Sequence, residues 1–198
     1  MNHHPRLLLI GGGAGSGKTS LARAVSQQLP GTGLVHLDLC YHQDPARAPS
    51  VPRLDGHPGR VVDFSDPLAL DFDRIEAALA EHADASTLLT IAEGIFALTL
   101  KQLAARASWT VFVDTPADLR VVRKTMRKLT EGKDPLPGLR GYAHTAHAFE
   151  RYVAPTRQAA SLVLDGTLPT QDQAAALIKH LNLSLASLTS RDGMPGPT

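Results

Sequence analysis

The sequence predicts an α/β fold, a five-stranded parallel sheet with helices on both faces, and three observations carry that expectation. Short apolar runs without polar alternation recur along the chain, as strands buried on both faces require. Segments with apolar residues at helical spacing separate them. Glycines and acidic residues follow directly after several of the apolar runs, which is where such a sheet binds ligands, beyond the C-terminal ends of its strands.

Arg6 to Ile10 is the first predicted strand, stopped by Gly11-Gly12-Gly13. Lys18 to Leu29 follows as a helix, because Leu21, Ala22, Val25 and Leu29 recur at helical spacing before Pro30-Gly31 ends the segment. Leu34 to Leu37 is a second strand that delivers Asp38 at its end. From Cys40 to about Asp71 the chain carries Pro45, Pro49, Pro52, Pro58 and Pro67 with little periodicity, so a long loop is expected there. Asp71 to His82 is a helix and Thr87 to Ala92 a third strand, ending at Glu93-Gly94. Thr99 to Ala107 is helical, and Trp109 to Val113 is a fourth strand ending at Asp114. Pro116 opens a helix from about Ala117 to Leu129, after which Glu131 to Gly138 breaks the pattern. A helix over Tyr142 to Ala160, a fifth strand at Ser161 to Leu164 and a last helix at Gln171 to Leu181 complete the chain.

With 198 residues the expectation is a single domain over 1–183, followed by a frayed tail over 184–198 whose stretch from Thr189 is rich in Gly, Pro and Ser. Lys plus Arg number 20 and Asp plus Glu 19, for a formal charge of +1, which disfavours a protein that coats nucleic acid. Apolar runs of a few residues, such as Leu7 to Ile10, are far short of the ~20 needed to span a bilayer. The short N-terminal run does not suit a secretory signal, and the lone Cys40 forms no internal disulfide, so a cytoplasmic protein is expected. No nucleic-acid or membrane partner is expected, and a homo-oligomer is left open.

The strongest signal is Gly12-Gly13-Ala14-Gly15-Ser16-Gly17-Lys18-Thr19, followed by Ser20, between the first strand and the first helix. It matches G-x-x-x-x-G-K-[ST] in the context that motif requires. Glycines let backbone N–H groups curl round a phosphate, the helix N-terminus adds partial positive charge, and Lys18 reaches the terminal phosphates. Thr19 offers a hydroxyl to Mg²⁺. The bland alternative is a glycine turn that only packs a helix on a sheet. Asp38 and Glu93 suit a base for an attacking hydroxyl and a ligand in the Mg²⁺ shell, or else helix caps. Lys124, Arg127 and Lys128 group cations at one end of a helix, either to neutralise a migrating phosphoryl group when a lid closes or as a solvated face. Tyr41 and Phe64 stack on a ligand ring or pack internally. His144 and His147 read as helix neighbours without metal spacing, Trp109 as core, and Cys40 as a small buried group.

Several segments together resemble the uridine kinase and phosphoribulokinase-like branch of P-loop kinases, from Arg6 to about Leu183. The more specific ones are Asp38-Leu39-Cys40-Tyr41, Asp63-Phe64-Ser65-Asp66-Pro67 with Asp71, Glu93-Gly94-Ile95, Phe112 to Arg120, and Ala154-Pro155-Thr156-Arg157. The resemblance implies a P-loop NTPase fold with a helical lid over about 120–140. It also implies phosphorylation of a hydroxyl by ATP or another nucleoside triphosphate donor. In that reading Asp38 is the base, Thr19 and Glu93 surround Mg²⁺, and Lys124, Arg127 and Lys133 are lid cations. Lys18 and Arg127 join Asp38 in the catalytic set, and Asp38, Tyr41, Phe64 and Asp66 meet the acceptor.

Three departures accompany the resemblance. Only Glu81 to Ser86 separates the second helix from the third strand, where uridine kinases insert a hairpin that reads the pyrimidine. Ser65 stands where an Asp that holds the ribose is usual, with Asp63 and Asp66 as substitutes. The lid is one residue shorter, with Glu131-Gly132-Lys133-Asp134 replacing a segment richer in Arg. A small-molecule kinase, with a uridine- or cytidine-like nucleoside or another compact alcohol as acceptor, is therefore the first expectation. The rival is a nucleotide-binding regulator or degenerate kinase without an acceptor. The guanine-reading Asn-Lys-x-Asp motif is absent from the sequence.

Overall fold

The computed structural model describes residues 6–84 and 86–189, with side chains described through residue 182. Five strands form one parallel sheet: β1 (Arg6–Gly11), β2 (Thr32–His36), β5 (Leu89–Glu93), β6 (Trp109–Asp114) and β7 (Leu162–Asp165), in the order β2-β5-β1-β6-β7. The first strand thus lies in the middle, between β5 and β6. Alternation along β1 assigns its side chains to two cores. Leu8 and Ile10 face α1 (Lys18–Gln28) and α7 (Thr170–Thr189), against Leu21, Val25, Ala174 and Leu177. Leu7 and Leu9 face α2 (Phe72–Ala80) and α3 (Lys101–Ala104), against Ile75, Leu79, Phe96 and Leu103. Each fully buried Leu, Ile or Phe of these layers contributes about 1.5–3 kcal/mol of transfer free energy.

The expected fold class holds, and the differences are local. The long loop contains a hairpin, β3 (Ser50–Pro52) antiparallel to β4 (Arg60–Val62), and a single helical turn at Pro67–Ala69. These strands are too short and proline-broken to show a period. The helix expected over Thr99 to Ala107 is regular only at Lys101–Ala104. Within the supposed break, α5 (Leu136–Arg140) forms, and α6 (Tyr142–Ala148) then passes into a wide turn at Phe149–Val153 and a tight one at Ala154–Ala159. Pro155 explains that change, since proline lacks the N–H of a regular helix and crowds the preceding turn. The last helix continues to Thr189, so 184–189 of the supposed tail is helical, while 190–198 lies outside the described residues. Among the described residues no helix is long and apolar enough to cross a membrane.

Candidate active site

Because β1, β2 and β5 are parallel neighbours, the segments that follow them meet at one edge of the sheet. The loop after β1 turns into α1 through Gly17, whose φ of 104° is left-handed and favours glycine. Lys18 folds back over the loop, its Nζ donating to the Gly13 carbonyl at 2.9 Å. Burial lowers the Lys18 pKa, with Glu93 and Asp38 pulling it back up. Among the described residues the buried Ser16 hydroxyl has no hydrogen-bond partner, while its carbonyl accepts from Thr115 Oγ1 at 3.0 Å.

A cleft of about 180 Å³ opens from this loop. Ala14, Gly15, Gly17, Lys18, Thr19 and Ser20 line one side, with Asp38 and Ile95 below and Arg123, Lys124 and Arg127 opposite. Asp38 sits on a single turn, Leu37–Leu39, just past β2. Its carboxyl is accessible at the cleft floor, and partial desolvation there raises its pKa against the pull of Lys18. Glu93, at the end of β5, is buried and accepts from Thr19 Oγ1 at 2.9 Å. The same Oε1 meets His36 Nδ1 at 2.7 Å.

Across the cleft runs α4 (Ala117–Thr130), which contributes no buried residue. Arg120 ties its first turns down, with Nε donating to Thr115 O at 3.0 Å and the guanidinium 4.0 Å above the Phe149 ring. A Cβ on Gly13 would collide with that guanidinium and force Arg120 to shift. Arg123 donates to the Gly166 carbonyl at 2.8 Å. Burial, with Lys128 and Arg127 nearby, lowers the Lys124 pKa.

The Phosphoribulokinase / Uridine kinase family pattern matches residues 76–174. A uridine kinase of Deinococcus deserti is 31% identical, the alignment covering 83% of this chain and 90% of that protein. The chain belongs to the phosphoribulokinase/uridine kinase family. A uridine kinase of Bacillus subtilis is 27% identical, over 83% of this chain and 87% of its own. The Zeta toxin pattern matches residues 1–44, the segment with the phosphate loop. Among solved structures, a sugar kinase from Janibacter matches with a TM-score of 0.55 at 19% identity, covering 90% of this chain and 95% of that one. A shikimate kinase from Acinetobacter baumannii in complex with shikimate matches with a TM-score of 0.54 at 17% identity, covering 91% and 94%. These two likenesses show the P-loop kinase fold.

For a member of the phosphoribulokinase/uridine kinase family, the placement of the expected residues is uneven. Lys18, Thr19, Asp38, Glu93, Lys124 and Arg127 converge. Lys133 does not line the cleft; its Nζ meets Glu131 Oε2 at 2.7 Å, and Arg127 Nε lies 3.8 Å from Glu131 Oε1. Tyr41 is buried, donates to the Phe64 carbonyl at 3.3 Å and meets the Phe64 ring edge-to-face at 5.0 Å. It packs into the core under Phe64, whereas Phe64 is 53% exposed. Asp66 caps the turn at Pro67, its Oδ1 accepting from Leu68 N at 2.8 Å. Among the described residues between Ala80 and Leu89 there is no strand. The hairpin of this chain, β3–β4, lies earlier in the sequence.

His36, which meets Glu93, and Arg120, which packs over the phosphate loop, belong to the site or its border and were not expected there, whereas Asp63, expected as a substitute for the usual Asp, is engaged by His144. His144 Nε2 lies 2.8 Å from Asp63 Oδ2. Position 36 carried a usable signal, since strand alternation sets it two residues before Asp38, beside the same crevice. The Asp63–His144 pair spans widely separated segments, which no local pattern links.

The donor set fits a nucleotide with Mg²⁺. Thr19 and Glu93 supply hard oxygens, and Mg²⁺ is commonly held by one or two such groups plus phosphate oxygens and water. Among the described residues no three His, Cys, Asp or Glu side chains form a metal cage, which that mode does not need. The unpaired Ser16 hydroxyl and the Lys18 ammonium suit an anionic group at the loop.

Proposed function

We propose that the chain is an ATP-dependent kinase, working in the cytoplasm, that transfers the γ-phosphate to a hydroxyl of a uridine- or cytidine-like nucleoside or another small alcohol. The observation that carries this reading is Asp38, which shares one cleft with Lys18, Thr19, Lys124 and Arg127. A regulator that only binds nucleotide needs no accessible carboxylate opposite the lid cations.

In this mechanism the phosphate loop holds the triphosphate through its backbone N–H groups, with Lys18 on the terminal phosphates. Thr19 and Glu93 would hold Mg²⁺, which when bound neutralises phosphate charge. Asp38 takes the proton of the acceptor hydroxyl as its oxygen bonds to the γ-phosphorus and the bridging P–O bond breaks, releasing ADP. The raised Asp38 pKa makes its carboxylate a better proton acceptor than an ordinary Asp. Arg127 and Lys124 face the phosphoryl group in flight and stabilise its charge.

An ATP-consumption screen across nucleosides, sugars and phosphorylated sugars, with product mass measured, tests this reading. One acceptor gaining a phosphate supports it. Nucleotide binding with no acceptor phosphorylated would favour the regulator.

A further inference from the structure

Glu93 ends β5 and His36 ends β2, and the parallel register sets the two residues opposite each other. The strand ends approach closely, since a Cβ on Gly94 would come within 2.8 Å of the Leu37 Cβ. There His36 Nδ1 meets Glu93 Oε1 at 2.7 Å, the same oxygen that accepts from Thr19 Oγ1 at 2.9 Å. Among the described residues the other oxygen, Oε2, accepts no hydrogen bond. The Glu93 side chain is 3% exposed, so water competes little with these two partners.

A carboxylate has two like oxygens, and rotation about its last side-chain bond exchanges them. A single donor on one side leaves that exchange open. Two donors from different elements, Thr19 on α1 and His36 on β2, converge on one oxygen and oppose it. His36 is itself held in place. It directly precedes the turn Leu37–Leu39 that carries Asp38, and its carbonyl meets Cys40 Sγ at 3.9 Å. The donating atom is Nδ1, the ring nitrogen nearer the backbone, so the reach of the donor matters as well as its presence.

We infer that His36 is a positioning residue for the metal: by taking Oε1 together with Thr19, it leaves Oε2 as the oxygen that Glu93 offers to Mg²⁺. His36 acts through Glu93 and is not itself a ligand. Partners behind a metal ligand commonly set affinity by about 10- to 100-fold. This inference rests on the nucleotide and Mg²⁺ reading of the cleft, yet metal binding is measured without turnover.

The test is Mn²⁺ retention in place of Mg²⁺, read by electron paramagnetic resonance on the full chain with a non-hydrolysable ATP analogue. His36→Asn keeps a donor at the position of Nδ1, His36→Gln moves it outward to the position of Nε2, and His36→Leu removes it. His36→Gln and His36→Leu should each weaken Mn²⁺ by about tenfold, whereas His36→Asn should stay within about threefold of the parent. Affinity for the analogue in chelator should change less than about threefold in all three. A merely structural role would not rank the Asn and Gln variants in this order. The inference is overturned if His36→Leu retains Mn²⁺ as the parent does, if His36→Asn loses it as His36→Gln does, or if metal-free nucleotide affinity falls in the same proportion. Thermal melting accompanies each variant, and the comparison of Asn with Gln decides the matter if His36→Leu does not fold. Product mass with an acceptor separates the two readings. The expected Mn²⁺ ranking with no acceptor phosphorylated defeats the kinase alone, and phosphorylation by a parent whose Mn²⁺ affinity is indifferent to position 36 defeats the positioning role alone.

Discussion

Thr19 donates its hydroxyl hydrogen to Glu93 across 2.9 Å, joining the first turn of α1 to the end of β5. The accepting oxygen also meets His36, so Glu93 is oriented from two sides. Glu93→Gln keeps the shape but removes the charge. Mg²⁺-dependent activity should fall on the order of 10- to 100-fold, with metal-free nucleotide affinity affected less. Activity titrated against Mg²⁺, beside calorimetry in chelator, measures both. Equal loss would instead assign Glu93 a structural task.

Lys18→Ala should abolish turnover and weaken ATP binding while leaving the fold intact, because the ammonium contacts only the Gly13 carbonyl within the loop. Circular dichroism and nucleotide titration test this together. Turnover at the parent rate would exclude Lys18 from phosphate binding.

Asp38→Asn should lower acceptor phosphorylation by about 100-fold or more and change ATP affinity by less than about tenfold. Desolvation raises the Asp38 pKa above 3.8, and a base works only when ionised. The acid limb of kcat/KM should therefore lie above 3.8 and be missing from the residual activity of Asp38→Asn. For stability the sign reverses. A carboxyl whose pKa is higher in the folded state favours folding below its unfolded value and loses that contribution as pH rises through the folded one.

Arg127→Ala should lower kcat more than it raises KM, since a cation meeting the phosphoryl group in flight acts mainly in the transition state. Steady-state kinetics with both substrates varied decide this. A change confined to KM would leave Arg127 with ground-state binding alone.

Asp71 caps α2, accepting from Arg74 N at 3.3 Å. Asp71→Ala should cost about 1 kcal/mol and Asp71→Asn much less, read from urea midpoints. Equal losses would implicate the nearby His42, whose Nδ1 lies 3.3 Å from Asp71.

The central strands and α1 were legible because burial on both faces leaves an uninterrupted apolar run, and Leu21 and Val25 repeat at helical spacing. The phosphate loop was legible because its chemistry is local. The hairpin β3–β4 was not, since three-residue strands containing Pro52 have no period to detect. The partners of Glu93 show the same divide. Its place after a strand was visible, but His36 reaches it only through the parallel pairing of β2 with β5, in which His36 lies opposite Glu93. The capping role of Asp66 was not legible, because an acid beside a proline reads equally as a ligand contact or a turn cap, and its Oδ1 accepts from Leu68 N.

The 14-residue helix α4 has no buried residue, and its named anchors, Arg120 and Arg123, lie in its first half. Few apolar contacts then resist displacement of the second half. Mechanically the helix is a lever with its fulcrum against the phosphate loop. A small rotation at Arg120 would become a longer arc at Arg127 and a still longer one beyond Thr130, which would carry the cations across the cleft and leave the nucleotide cradle in place.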